Sequence, residues 1–320
     1  MRKNRKNEIL QKLLHTHNFV SGEEISKSLN ISRVMVNRYI KELTKEGFEI
    51  EAQKNKGYKL NIIPDVIYKS LIEDKLNNTK YNIIILDEVD STNSFAISNI
   101  EKLQDRTVII AKNQVLGKGR MGRSWISEKD KDITMSIILK PNIQIDNLFK
   151  YIVYTSLAVF KSLKDFDIDD IFIKWPNDII YKNKKLCGIL IETTIQLETK
   201  VLESIVIGVG LNVNSKISER IPTATSVSEI LGFEVKRDVI ISKILNNFEN
   251  LLSSDFEKTF NEWKERVAYI GKEIILSSID GDKKCKLLDV SKTGEIVVEE
   301  EGGTLKIYTS GEISLSSSLQ

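Results

Sequence analysis

The sequence predicts an α+β protein in three parts. Residues 1–62 would form a small helical module closed by a β-hairpin, 63–269 a central mixed α/β domain, and 270–320 a run of short strands. Three observations carry that expectation. Apolar residues recur at helical spacing near the start, where Ile9, Leu10, Leu13 and Leu14, and later Val36, Ile40 and Leu43, fall on single faces. From Tyr81 to Val267, apolar runs of strand length alternate with helical stretches. From Gly271, short β runs are separated by glycine turns.

Composition narrows the class. A hydrophobic fraction of 41% and a charged fraction of 29% are those of a soluble globular protein. The two cysteines, Cys187 and Cys285, lie far apart, and only two histidines accompany them, so neither a disulfide framework nor a structural metal site is expected. No apolar run approaches about 18 residues, and no signal-type stretch follows the basic start, so a cytoplasmic protein without membrane contact is expected. Charge is uneven. Residues 1–60 hold 13 Lys/Arg against 7 Asp/Glu, a net of +6, while the other 260 hold 34 against 38, a net of −4. A basic module on a slightly acidic body points to an anionic polymer bound at one end.

The first helix is expected from Glu8 to His17. Ser21 with Glu24 three residues on reads as a capping box for a second, Gly22 to Leu29. Ser32 caps a third, Arg33 to Glu46, which Gly47 ends. Two extended runs around Lys54-Asn55-Lys56-Gly57 read as a hairpin wing. The whole resembles a winged helix-turn-helix, whose later helix enters the major groove. Arg33, Asn37, Arg38 and Lys41 are the exposed candidates for DNA contact, with Lys54 and Lys56 (and Lys59) reaching phosphates. The competing use of such a module is protein docking, and the basic balance favours DNA. A linker follows, with Pro64, a short helix from Val66 to Leu76 and a turn at Asn77–Lys80.

In the centre, a strand Tyr81–Leu86 leads into Asp90-Ser91-Thr92-Asn93, and a helix follows to about Leu103. Ser91 or Thr92 can cap that helix, and short hydrogen-bonding residues at a strand end also suit a polar ligand. Thr107–Lys112 is a second strand, after which Gln114 precedes a glycine-rich loop, Gly117-Lys118-Gly119-Arg120-Met121-Gly122-Arg123-Ser124-Trp125. Three glycines let backbone approach a ligand closely, exposed N–H groups can cradle anionic oxygens, and Arg120 and Arg123 can grip such oxygens in a fork. Further strands are expected at Thr134–Lys140, at Ile171–Lys174 before a proline turn through Asp178, from Lys185, and at Ser204–Val213; a core helix is expected at Leu148–Leu163. Gly208 and Gly210 within a strand suggest close backbone approach.

Four segments in order, Asp90–Asn93, Gly117–Trp125, Lys174–Asp178 with Lys185–Leu190, and Gly208–Asn212, resemble the biotin protein ligase family, closest to the bifunctional bacterial ligase–repressors. The resemblance covers essentially the whole chain. It implies a central domain of the biotin/lipoate ligase type, and two half-reactions. Biotin and ATP with Mg2+ give biotinyl-5′-adenylate, and a lysine of a biotin carboxyl carrier protein then takes the biotin. Ser91, Thr92, Asn93 and Gln114 would meet biotin, with Lys118, Gly119, Arg120 and Lys185. Gly117, Arg123, Trp125, Lys174 and Asn212 would serve the adenylate side. Arg120, Lys185 and Asp178 would be catalytic. Some alternatives stay open. Asp178 has three candidate tasks: orienting Lys185, helping to place Mg2+, or assisting deprotonation of the incoming lysine. Trp125 lies against the ligand tail or anchors the loop, and Asn212 meets the adenylate or closes a turn. Lys118 stands where the family usually has Arg, so it acts through its backbone or loses a bidentate contact. The family further implies operator DNA as partner and a homodimer when the adenylate is bound.

Gly117-x-Gly119-x-x-Gly122 also fits a dinucleotide fingerprint, but Arg123–Ser127 is a poor helix start. A lipoate ligase and a ligand-responsive repressor without catalysis are the nearer alternatives; the N-terminal module argues against the first, Arg120 and Lys185 against the second. Two helices, Asp238–Leu252 and Phe256–Val267, precede β runs at Glu273–Leu276, Lys284–Val290, Glu295–Glu299 and Thr304–Ser310. The turns between them, beginning at Asp280–Asp282, suggest a small SH3-like barrel, and Ser310–Leu315 matches the family's closing motif.

Overall fold

The computed structural model describes residues 5–16, 18–77, 81–141, 143–144, 147–196, 201–278 and 281–316. The expected helix end at His17, most of the turn at Asn77–Lys80 and Asp280 of the later turn lie outside the described residues. The chain divides into two compact units, 1–77 with 236–242, and 78–235 with 243–320.

The first unit carries α1 (Arg5–Leu14), α2 (Gly22–Leu29), α3 (Arg33–Lys45), the hairpin β1 (Glu49–Gln53) and β2 (Gly57–Ile62), and α4 (Lys69–Glu73). Ser21 and Ser32 cap α2 and α3, accepting from the N–H groups of Glu24 and Met35. Ile9, Leu10, Leu13, Ile25, Val36, Ile40, Leu43 and Phe48 form one core with Tyr68 and Leu71. This unit extends past residue 62, since Tyr68 and Leu71 are buried against the helices. Gly57 sits at φ +112° beside Val20, and a Cβ there would stand 2.0 Å from the Val20 oxygen. Only glycine lets β2 bridge Val20 and hold the wing to the helices.

The second unit is built on a sheet of β3 (Asn82–Leu86), β4 (Thr107–Ala111), β7 (Ile133–Leu139), β8 (Ile143–Gln144), β9 (Ile171–Lys174), β10 (Asp178–Tyr181), β11 (Lys184–Gln196) and β12 (Val201–Leu211). Its order is β3-β4-β7-β12-β11-β10-β9, with β8 beside β12, and only β3–β4 is parallel along that path. Helix α5 (Thr92–Ser98) lies over β4, β7 and β12, and α6 (Phe149–Lys164) packs on β9, β10 and β11. Between β4 and β7, β5 (Gly117–Lys118) pairs with β6 (Ser124–Trp125). The helix expected to reach Leu103 ends at Ser98, and a 3-10 turn, Ile100–Lys102, completes it. β10 was not expected: Lys182 and Asn183, at φ 45° and 64°, close a two-residue hairpin to β11.

After α7 (Val227–Leu231), α8 (Arg237–Leu252) and α9 (Phe256–Lys264), the strands β13 (Glu273–Ser278), β14 (Gly281–Val290), β15 (Ile296–Glu300), β16 (Leu305–Tyr308) and β17 (Glu312–Leu315) form one antiparallel sheet, ordered β16-β15-β14-β13-β17. It belongs to the same compact unit as the large sheet. Trp175 Nε1 donates to the Gly294 oxygen at 2.9 Å, which ties the proline turn to the β14–β15 turn.

Candidate functional site

Adjacent rows across the large sheet have opposite chemistry. Ile173, Ile179, Cys187, Leu211 and Ile133 are directly paired in register, and all are fully buried. The next row, on the other face, is Lys174, Asp178, Gly188, Gly210 and Thr134. Two charges, two glycines and a hydroxyl in one row make the floor of a cleft. Alternation alone would put Lys185 on the apolar face with Cys187. A β-bulge at this point pairs Cys187 with Ile179 and Lys185 with Ile180, skipping Leu186. That extra residue turns Lys185 to the cleft, where Nζ stands 2.8 Å from Asp178.

The glycine pair leaves room for an aromatic ring. Trp125 lies across it: a Cβ on Gly210 would stand 2.4 Å from the indole, and one on Gly188 3.0 Å. Lys185 Nζ lies 5.6 Å from the ring centroid. The ring anchors the loop to the sheet and also lines the cleft.

The polar end is a hydrogen-bonded cluster beneath the start of α5. Ser91, Thr92 and Asn93 are each 3% exposed. Ser91 caps the helix, accepting from the Ser94 N–H. The Thr92 N–H donates to Gln114 Oε1 at 2.9 Å. The Ser136 hydroxyl lies 2.6 Å from Asn93 Oδ1 and 2.7 Å from the Thr92 hydroxyl, and Asn93 donates to Glu192 at 2.8 Å and to the Leu190 oxygen. Gly208 makes room for Asn93, whose Oδ1 lies 2.6 Å from where a Cβ would be.

The glycine-rich loop is a short two-stranded arm tipped by a turn over Arg120–Gly122, with Met121 left-handed and exposed. Arg120 donates to Asn177 Oδ1 at 3.2 Å. Burial pulls its pKa below the ordinary guanidinium value, against the opposing pull of Glu312 and Asp178. Among the described residues it forms no ion pair, so an incoming anion would meet a partly desolvated cation. Arg123 instead pairs with Glu312 at 2.6 Å, bringing β17 to the cleft rim. Lys118 and Lys174 add two cations to the lining.

The cleft therefore gathers Ser91, Thr92, Asn93, Gln114, Lys118, Gly119, Arg120, Arg123, Trp125, Lys174, Asp178 and Lys185. Two expected members stand outside it. Gly117 is buried where a Cβ would stand 2.4 Å from the Trp125 oxygen, so it serves close packing inside the arm. Asn212 is 2% exposed and donates through Nδ2 to the Thr225 oxygen, thirteen residues on. Ser136, Asn177 and Glu312 were missed. The polar alternation of Thr134 and Ser136 in a strand was a readable signal for the first. Asn177 lay inside a quoted motif, and Glu312 had no local signal of a contact with Arg123.

In the first unit, Arg33, Asn37, Arg38, Lys41, Lys54 and Lys56 are all exposed. A groove between α3 and the wing is lined by Arg33, Val34, Asn37, Lys54 and Lys56. Asn37 donates to the Tyr58 hydroxyl at 3.3 Å, and Arg38 lies 3.5 Å from Glu42.

The fold and the two sites together define a protein-ligase domain that carries a helix-turn-helix module. Residues 85–212 match the biotin/lipoate A/B protein ligase family, and residues 5–59 match an HTH domain. The bifunctional ligase/repressor BirA of Bacillus subtilis is 32% identical over 303 residues, covering 91% of this chain and 92% of that protein. The Bacillus spizizenii protein of the same name is 33% identical over 304 residues, with the same coverage. The structure of a biotin protein ligase from Aquifex aeolicus in complex with biotin and ATP is similar at a TM-score of 0.63 and 29% identity, over 73% of this chain and 97% of that one. The chain belongs to the family of bifunctional biotin ligase/repressors.

Proposed function

We propose that the protein joins biotin to ATP as biotinyl-5′-adenylate, releases pyrophosphate, and passes biotin to a lysine of a biotin carboxyl carrier protein. The observation that carries this is the cleft's division into a buried polar end and a cationic end. A ureido ring has donors and an acceptor, which Ser91, Thr92, Asn93 and Gln114 can answer. The biotin carboxylate and the α-phosphate repel one another until cations neutralise them, and Arg120 and Lys185 supply that charge. The carboxylate oxygen attacks the α-phosphorus and pyrophosphate leaves. The carrier's lysine then attacks the acyl carbon and AMP leaves. Asp178, beside Lys185, holds its ammonium toward the cleft. Lys118 and Gly119 offer backbone to biotin, while Arg123, Lys174 and Trp125 serve the nucleotide side.

Magnesium would arrive with the nucleotide phosphates. Among the described residues no cluster of three or more His, Cys, Asp and Glu could hold a metal, and Asp178 and Glu312 each already face a cation. Residues 63–269 would carry the chemistry. Residues 270–320, an SH3-like barrel on this reading, would close the nucleotide side through Glu312. The adenylate-bound form would dimerise in the cytoplasm and bind a palindromic operator through α3 and the wing. Biotin-dependent ATP–pyrophosphate exchange tests the ligase half; exchange with lipoate in place of biotin would overturn it.

A further inference from the structure

Val34 is the most exposed large apolar side chain among the described residues, at 78%. It lies in the first turn of α3 and takes no part in the first unit's core, which uses Val36 two residues on. A β-branched residue at an exposed helical position lowers helix propensity, so folding gives no reason for it. Its surroundings do. Asn37, Arg38 and Lys41 follow at three, four and seven residues, the spacing of one helical face, and all are exposed. Arg33 precedes it, and Lys54 and Lys56 face it from the wing across the groove. The acids nearby are engaged: Glu23 pairs with Lys27 at 2.8 Å, and Glu42 lies 3.5 Å from Arg38.

A lone apolar group amid cations and amides fits the major groove, which offers one apolar feature, the thymine C5 methyl. We propose that Val34 is a specificity-determining residue that packs on a thymine methyl, beside base edges met by Arg33 and Asn37. The Tyr58 hydroxyl fixes the Asn37 amide through one N–H. The Oδ1 atom and the second N–H remain to face a base. This assignment rests on the repressor reading above.

The test uses the full chain with biotin, ATP and Mg2+. A preferred duplex is selected from a randomised pool, and each thymine is replaced singly by deoxyuridine, which removes only the methyl. Wild-type affinity should fall about fourfold at one thymine of the half-site, the worth of one buried methyl-sized group. Val34→Ala should bind the thymine and deoxyuridine duplexes alike, with an unchanged salt slope, because no phosphate contact is lost. Equal wild-type binding to every deoxyuridine duplex would overturn the proposal. So would a Val34→Ala variant that still prefers thymine, since its weaker binding would then reflect packing or a protein partner. Failure to enrich any sequence would instead overturn the repressor reading, and this assignment with it.

Discussion

The groove of the first unit and the cleft of the second use opposite means to place side chains. In the groove, the working residues stand out from a regular helix and a hairpin, and each is exposed. Their positions follow from helical spacing and from the caps Ser21 and Ser32. In the cleft, the working residues are aimed by sheet register, by a bulge and by missing Cβ atoms. Lys185 faces Asp178 only because Leu186 is skipped in the pairing, and Trp125 reaches the sheet only because Gly188 and Gly210 oppose each other. A surface that reads a polymer can be assembled from one element's periodicity. A cleft whose side chains converge from separate elements needs several strands in register.

That contrast can be broken by substitution. Lys185→Met should lower biotin-dependent exchange by about 100- to 1,000-fold, the range for removing one charge-stabilising group from such a site. A loss below tenfold in steady-state exchange would remove its assigned role. Arg33→Ala should weaken DNA binding by about 1–3 kcal/mol while leaving exchange unchanged, if it meets a base edge. Binding isotherms beside exchange rates on the same preparation decide this. Gly210→Ala should destabilise the second unit by about 1–3 kcal/mol through overpacking against the indole. Adding Trp125→Ala should relieve most of that loss in denaturant titration; independent, additive losses would show that the glycine answers to something else. The smallest effect is expected at Lys54→Ala, which should reduce the salt slope of DNA binding by about 0.9 and weaken all sequences alike. A change in sequence preference would move Lys54 from phosphate contact to base reading.

Much of this was legible beforehand, for reasons that differ by residue. Arg120 was picked out by charge within the glycine loop, and Lys185 by the resemblance of its segment to the ligase family. Ser91 and Thr92 were visible as short polar residues at a strand end. The resemblance put Gly117 on the adenylate side and left Asn212 between the adenylate and a turn; in the structure Gly117 packs against Trp125 and Asn212 donates to the Thr225 oxygen. Glycine and asparagine serve close approach and turns wherever the chain bends, so their identity does not say which partner they approach. Glu312 was quoted within a closing motif, but its pairing with Arg123 spans 189 residues and no local pattern encodes it.

By itself the sequence determined most of the helices and strands in their order, though not β10, together with the basic first module and the set of residue types that could bind an anionic ligand, because those depend on local periodicity and charge. Tertiary structure decided three further matters. Tyr68 and Leu71 of the linker joined the first module's core. The terminal strands joined the central sheet's unit. A one-residue bulge determined which face of the sheet Lys185 serves. Each depends on which strand or helix lies alongside, and a strand's side chains change face with every residue of register.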